Sequence, residues 1–301
     1  MIFLKSFRIP TDDEEEFFFI PPPVNPDYKT KNFRTVYQTK YPFLFFPGRG
    51  VPELEFSDIT IFCGDNGCGK STLLNIISEK LSLPRETPYN RSDFFEDYTE
   101  LCRYSQSGKI SDNSRIITSD DVFDRVLDIR RLNQCIDDRR AELIGEYITE
   151  RRNEEPNNLS GLEDYDRWKK VHSMRKKSAT QSQYIRANLR RNAEERSNGE
   201  SALAFFVDRI ADGGLYLLDE PENSLSPGNQ MRLKYFIEDC ARSHCCQFII
   251  STHSPFLLSL RYAKIYDLDT VPVTVAPSWT DLEGVRVYRD FFAEHEEDFG
   301  D

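Results

Sequence analysis

Residues 59–77 read "ITIFCGDNGCGKSTLLNII". The first five, Ile59 to Cys63, are an apolar, partly β-branched run of strand length. Glycines at 64, 67 and 69 then interrupt it, and "STLLNII" resumes with helix-forming apolar residues. Gly64-Asp65-Asn66-Gly67-Cys68-Gly69-Lys70-Ser71 fits G-x-x-x-x-G-K-[ST]. Its glycines let the backbone curl so that successive N–H groups face inward onto a phosphate, and the following helix adds its positive end. The predicted nucleotide-binding residues are Gly64, Asn66, Gly67, Cys68, Gly69, Lys70, Ser71 and Thr72. Lys70 is expected to reach the β- and γ-phosphates, and Ser71 to offer its hydroxyl to Mg²⁺.

A second constellation lies far downstream. Leu215 to Leu218 form another buried-strand run, and Asp219 and Glu220 follow at its carboxyl end. Asp219 is expected to hold Mg²⁺ beside the phosphate loop, and Glu220 to accept a proton from the attacking water. His253 ends a third apolar run, "FIIST", where a strand's carboxyl end points into the ligand crevice. From there it can donate a hydrogen bond to a γ-phosphate. Just upstream of the acidic strand, "SNGES" (residues 197–201) reads as a polar loop opening a helix. Ser197 and Glu200 also fit a capping box.

The order of these motifs, with "GLYLLDEPENSLSP" and "QFIISTHSP", resembles the ABC ATPases. The nearest likeness is to their soluble group: RecF and SMC heads, OLD-family ATPases and small stand-alone ATPases. It covers residues 1–121 and 197–290. The resemblance implies a P-loop NTPase of the ABC ATPase type, with ATP as the nucleotide. It implies that two copies pack head to tail around ATP. Ser197, Asn198, Gly199 and Glu200 would then act as the signature that touches the partner's γ-phosphate, with His253 as the switch histidine. The sequence departs from the family at Ser226, where an aspartate is usual, and no clear Q-loop glutamine is present. Asp120, Asp121 and Gln106 are the candidates for that place. Phe7, Phe33 and Tyr37 are the candidates for stacking on adenine. No N-K-x-D motif reads guanine.

The predicted fold class is therefore α/β: a mostly parallel sheet flanked by helices. An N-terminal antiparallel β meander is expected from "MIFLKSFRI", "EEFFFI", "YPFLFF" and "LEFSDITIF". The charge run "DDEEE" reads as a solvated flank. From residue 122 to 196 the chain is rich in Arg, Glu, Gln and Leu and is expected to form a helical insert lobe. The expected domains are thus a catalytic lobe, residues 1–121 with 197–301, and an insert, residues 122–196.

Bulk properties narrow the setting. The net charge is −12 over 301 residues, and no apolar run approaches the roughly 18 residues of a membrane span. Seven scattered cysteines form no C-x-x-C pair, which suits reduced thiols in a cytoplasm, and the adjacent Cys245 and Cys246 are expected to be buried. Within this acidic chain, Arg167 to Arg191 carries nine Lys or Arg and no acid, with Trp168 and Tyr184 interleaved. That asymmetry predicts a surface for nucleic acid or an acidic partner, against a solvated helical arm. No nuclease constellation accompanies it, so cutting, if any, would fall to a separate effector, a nuclease or toxin. The leading expectation is an ATP-driven switch of the kind used in DNA repair or antiviral defence. The alternative is the nucleotide-binding subunit of a membrane ABC transporter.

Overall fold

The computed structural model describes residues 2–19, 39–152, 165, 168–169, 180–189 and 198–300. The chain divides into two compact units, residues 1–123 with 198–301, and residues 124–197.

The larger unit is built on a six-stranded sheet. Its strands are β3 (Ile59–Cys63), β5 (Arg115–Thr118), β6 (Leu215–Asp219), β7 (Gln247–Ser251), β8 (Lys264–Asp267) and β9 (Thr274–Val275), in the order β5-β6-β7-β3-β8-β9. All neighbours are parallel except the β8–β9 pair. Both faces are covered, which explains the continuous apolar runs. Leu215 and Leu217 of β6, Ile249 of β7 and Phe62 of β3 fill one core. Tyr216, Leu218, Phe248, Ile250 and Ile61 fill the other. The first core holds α2 (Lys70–Lys80), whose Leu73, Leu74, Ile76 and Ile77 are all buried. The second is covered by α6 (Asn198–Arg209), α7 (Pro227–Ser243) and the short α8 (Pro255–Leu258). The closing helix is α9 (Glu283–Glu294).

The antiparallel layer has three strands in the order β2-β1-β4: β1 (Leu4–Arg8), β2 (Leu54–Glu55) and β4 (Arg103–Gln106). Its third strand arrives after α3 (Phe95–Leu101), not from the first sixty residues. The buried Gln247 side chain ties this layer to the parallel sheet. It accepts from the N–H groups of Phe3 (2.8 Å) and Leu4 (2.9 Å) and donates to the carbonyls of Leu4 (2.8 Å) and Ser57 (3.1 Å).

Two expected strands are not strands. "EEFFFI" falls mostly in helix α1 (Asp12–Phe18), which a capping box between Thr11 and Glu14 starts. Four acids in the first turn suit the positive helix end. Nor is the charge run merely solvated: Glu15 is buried and accepts from Leu44 N–H at 2.7 Å, and Asp12 accepts from Gly48 N–H at 3.0 Å. "YPFLFF" forms turns, yet Phe43 and Phe46 still enter the core. Cys246 is buried as expected, whereas Cys245, in a left-handed conformation (φ 53°), is exposed.

In the smaller unit α4 (Ser119–Arg152, which begins in the larger one) continues as a long charged helix, and α5 (Gln181–Asn188) starts at a Thr180–Gln183 capping box. Leu143 and Tyr147 pack there with Ile185 and Leu189. Of the basic stretch, Lys169 and Arg186 are exposed. Its other Lys and Arg residues lie outside the described residues.

Candidate active site

The loop between β3 and α2 has the conformation its glycines permit. Gly64, Gly67 and Gly69 have φ of 139°, 85° and 109°. A Cβ on Gly69 would stand 2.6 Å from Phe45 Cε1 and 3.0 Å from Phe46 Cε1, and one on Gly64 2.8 Å from Cys68 Sγ. The turn therefore closes against side chains only because those Cβ atoms are missing. Lys70 is 4% exposed, and its ammonium donates to the carbonyls of Gly64 (2.8 Å) and Asp65 (3.1 Å). Around the loop, Asp269 accepts from Asp65 N–H at 2.8 and 2.9 Å, Arg49 donates to the Cys68 carbonyl at 2.9 Å, and Tyr41 donates to Thr72 Oγ1 at 3.0 Å.

Strand β7 lies between β3 and β6, so the loop and the acidic strand end meet across it. Ser71 Oγ donates to Asp219 Oδ1 at 2.8 Å, and Ser251 Oγ at the end of β7 donates to the same oxygen. Burial pushes the Asp219 carboxyl up, opposed by the hydrogen bonds from Ser251 and Ser71.

Glu220 turns away from its neighbour. It is left-handed (φ 46°, ψ 53°), a strained conformation for a residue with a Cβ. Its N–H is held by the Ser251 carbonyl (3.0 Å) and hydroxyl (3.1 Å). Its carboxylate then meets His253 Nε2 at 3.2 Å, Asn223 Nδ2 at 2.9 Å and Lys70 Nζ at 3.9 Å. The hydrogen bond to His253 is the main reason its pKa falls to about 2, with Asn223 and the charges of His253 and Lys70 assisting against burial. An open cleft lined by Asp65, Asn66, Glu220, Asn223 and His253 lies in front of these groups.

Lys70, Ser71, Asp219, Glu220 and His253 thus come together. Asn198 to Glu200 open α6, with Glu200 exposed, and Ser197 lies outside the described residues. Asp121 does not serve as a free carboxylate: it accepts from Thr87 N–H (2.9 Å), Thr87 Oγ1 (2.7 Å) and Thr118 N–H (2.7 Å). Gln106 sits exposed in β4, and Phe7 is wholly buried in the core, which removes it as an adenine platform. Phe33 and Tyr37 lie outside the described residues.

Sequence reasoning missed Glu222. Its Oε1 accepts from Thr252 Oγ1 (2.7 Å), His253 N–H (2.6 Å) and Ser254 N–H (3.3 Å), while its buried Oε2 has no partner among the described residues. Burial raises its pKa despite these donors. A third acid in "DEPEN" was the available signal, as the acid in "LDT" was for Asp269.

The donor set fits a nucleotide with a hard cation. Ser71 and Asp219 present oxygen ligands, and the loop is a cradle that a Cβ at position 69 would fill.

The family described as "AAA domain, putative AbiEii toxin, Type IV TA system" matches residues 78–259. That stretch holds the acidic strand end and His253 but begins after the phosphate loop. Among solved structures, the Smc head domain of Pyrococcus furiosus bound to the C-terminal domain of ScpA is 14% identical, covering 79% of this chain and 94% of that one, with a TM-score of 0.39. The SMC head domain of Thermotoga maritima is 15% identical, covering 75% and 92%, with a TM-score of 0.33. A nucleotide-free ATP-binding cassette from an ABC transporter is 15% identical, covering 79% and 87%, with a TM-score of 0.36. No curated protein matches the sequence.

Proposed function

The chain belongs to this AAA-domain family, and on that premise we propose that it binds ATP with Mg²⁺ and hydrolyses it as a switch for a partner. The observation that carries the reading is the hydrogen bond from Ser71 to Asp219, which joins the loop to the acidic strand end across 148 residues. Backbone N–H groups from Gly64 to Thr72 and the Lys70 ammonium would hold the phosphates. Ser71 and Asp219 would hold Mg²⁺, which supplies positive charge to the β- and γ-phosphate oxygens when bound. Glu220, ionised at neutral pH, orients the attacking water and accepts its proton as the water oxygen bonds to the γ-phosphorus and the bond to ADP breaks. His253 positions Glu220 and can donate to the γ-phosphate.

In the same reading two copies clamp ATP head to tail, each offering Ser197, Asn198, Gly199 and Glu200 to the other's γ-phosphate. Hydrolysis then releases the pair and passes the change through the 122–196 insert. The basic stretch Arg167 to Arg191 is the proposed surface for nucleic acid or a separate effector, a nuclease or toxin, in antiviral defence or DNA repair. A cytoplasmic setting suits this role. Among the described residues no helix is long and apolar enough to cross a membrane.

The test is Glu220→Gln. ATP binding should persist and turnover should fall by about 10²–10⁴. An ATP-bound dimer should accumulate, seen by light scattering after gel filtration. Unchanged turnover would remove Glu220 from the reaction, and a Lys70→Ala protein with normal ATP affinity would remove the site itself.

A further inference from the structure

Outside the site just described, three arginines converge on one pocket. It lies beside the edge strand β5, between the loop after α2 and the last turn of α6, and is a half-open pocket of about 50 Å³. Arg85, Arg115 and Arg209 line it, with Glu86, Asp121 and Phe205. All belong to the larger unit.

The pairing there is incomplete. Both Asp121 oxygens are occupied by Thr87 and Thr118. Glu86 is half exposed and is held by Arg209 at 2.7 Å. Arg85 is fixed by hydrogen bonds to the Thr87 carbonyl (2.7 Å) and Asn75 (2.9 Å), and the charges of Asp121, Asp219 and Glu79 favour its charged form against burial. Among the described residues the Arg115 side chain makes no hydrogen bond or ion pair, and its buried Nε has no acceptor, nor has that of Arg209. Among the residues lining the pocket, three guanidiniums meet the two carboxylates of Asp121 and Glu86; Asp219 and Glu79 also act on Arg85, so the cation left without a partner is Arg115. A half-buried cation without an acceptor is costly, because burial removes water faster than it supplies a partner.

Two of the cations are also held in place by rings: Arg85 lies 4.1 Å over Tyr89 and Arg209 4.4 Å over Phe205. Each guanidinium fork matches a carboxylate or a phosphate, and a phosphate group, with more oxygens and up to two negative charges, can meet more of these fixed donors at once than one carboxylate can. The space holds a few waters or one phosphate group.

We propose that the pocket formed by Arg85, Arg115 and Arg209 is a second binding site for a phosphate group, separate from the phosphate loop, taking free phosphate or the terminal group of a phosphomonoester. The site does not depend on the ATPase reading. Through Arg85 and Asn75 it touches α2, the helix that Lys70 and Ser71 begin.

The test uses the full chain carrying Lys70→Ala, so that the phosphate loop has lost its cation. Inorganic phosphate, glycerol 3-phosphate and acetate are titrated by calorimetry at fixed ionic strength. Both phosphates should saturate one site and acetate should not. Adding Arg115→Gln or Arg209→Gln should weaken phosphate binding by roughly tenfold to a hundredfold. Should Arg115→Gln fail to fold, Arg115→Lys keeps the charge but not the fork, and an intermediate loss is expected. Tighter binding of the ester assigns a phosphomonoester as the source, and equal binding assigns free phosphate. The proposal is overturned by no saturable phosphate binding, by equal binding of acetate, or by affinity unchanged in both glutamine variants. A Lys70→Ala protein that still binds ATP would refute the nucleotide site alone, since the Arg115 comparison is read independently.

Discussion

Glu222 joins the turn after β6 to the turn after β7, and Glu222→Ala tests what that joint does. Three donors lose their acceptor, but not equally. Ser254 N–H keeps Thr252 Oγ1 at 3.0 Å. The Thr252 hydroxyl can rotate to another acceptor. His253 N–H, now 2.6 Å from the carboxylate, is left with none in the hydrogen-bond network. One orphaned backbone donor costs about 1–3 kcal/mol. Removing a buried carboxylate gives some of this back, because burial already disfavours its charge. The net expectation is about 1–2 kcal/mol of lost stability, or a few degrees in Tm. Turnover should suffer more. The same turn sets the 3.2 Å contact between His253 and Glu220, and a displacement of about 1 Å at a reacting centre can cost about 10²-fold. In an ATPase assay, kcat should fall by roughly tenfold to a hundredfold with ATP affinity nearly unchanged, since the phosphate loop is untouched. Glu222→Gln retains one acceptor oxygen and should recover part of the rate. Wild-type turnover and Tm in Glu222→Ala would refute the reasoning.

Removing the imidazole in His253→Ala should let the Glu220 carboxyl rise from about 2 toward its ordinary 4.5. A depressed carboxyl stabilises the fold above pH 4.5 and loses that contribution as pH falls toward 2. That acid limb should flatten in the variant, and NMR titration of the metal-free, nucleotide-free protein reads the shift directly. Gly69→Ala should abolish ATP binding, because its Cβ meets Phe45 and Phe46, while Gly67→Ala, with nothing within 4 Å, should do less; equal effects in a binding titration would contradict the packing argument. Gly199→Asp should still bind ATP but fail to dimerise or hydrolyse. Mixing it with Lys70→Ala should restore partial activity through one whole composite site, and a monomer active at the normal rate would leave residues 197–201 as a helix cap.

The sheet's central strands were legible because burial on both faces writes them as unbroken apolar runs, as in Leu215 to Leu218. Helix α7 was legible from Ser226-Pro227 at its start and an amphipathic run to Ser243. Helix α1 was not, although Thr11 and Glu14 spell its capping box. The aromatic run that follows has strand propensity, and only the fold reveals that Glu15 faces a loop 29 residues away. The Ser71–Asp219 contact was legible because each residue carries a motif of its own. Glu222, Asn223 and Ser251 carry none. Their roles arise from which turns the sheet order brings together, and pairing β7 with both β6 and β3 is a long-range fact that local pattern does not encode.

In the proposed function the adjacent acids at the end of β6 take two different tasks, and the geometry of the strand end is consistent with that. Had Glu220 continued the strand, its side chain would have pointed to the opposite face from Asp219, into the apolar layer that holds Leu218 and Phe248. The left-handed turn at Glu220 swings it instead into the open cleft beside His253. That turn costs about 1–3 kcal/mol and is held by the two bonds from Glu220 N–H to Ser251. The environments then separate the two groups: burial pushes Asp219 up, and His253 draws Glu220 down to about 2. Two like charges one residue apart would otherwise compete for the same surroundings. Their divergence lets Asp219 stay with the Ser71 hydroxyl, where oxygen ligands suit a cation, and leaves Glu220 ionised toward water. Ser251 is the common element, since its hydroxyl bonds Asp219 while its hydroxyl and carbonyl hold the turn that removes Glu220.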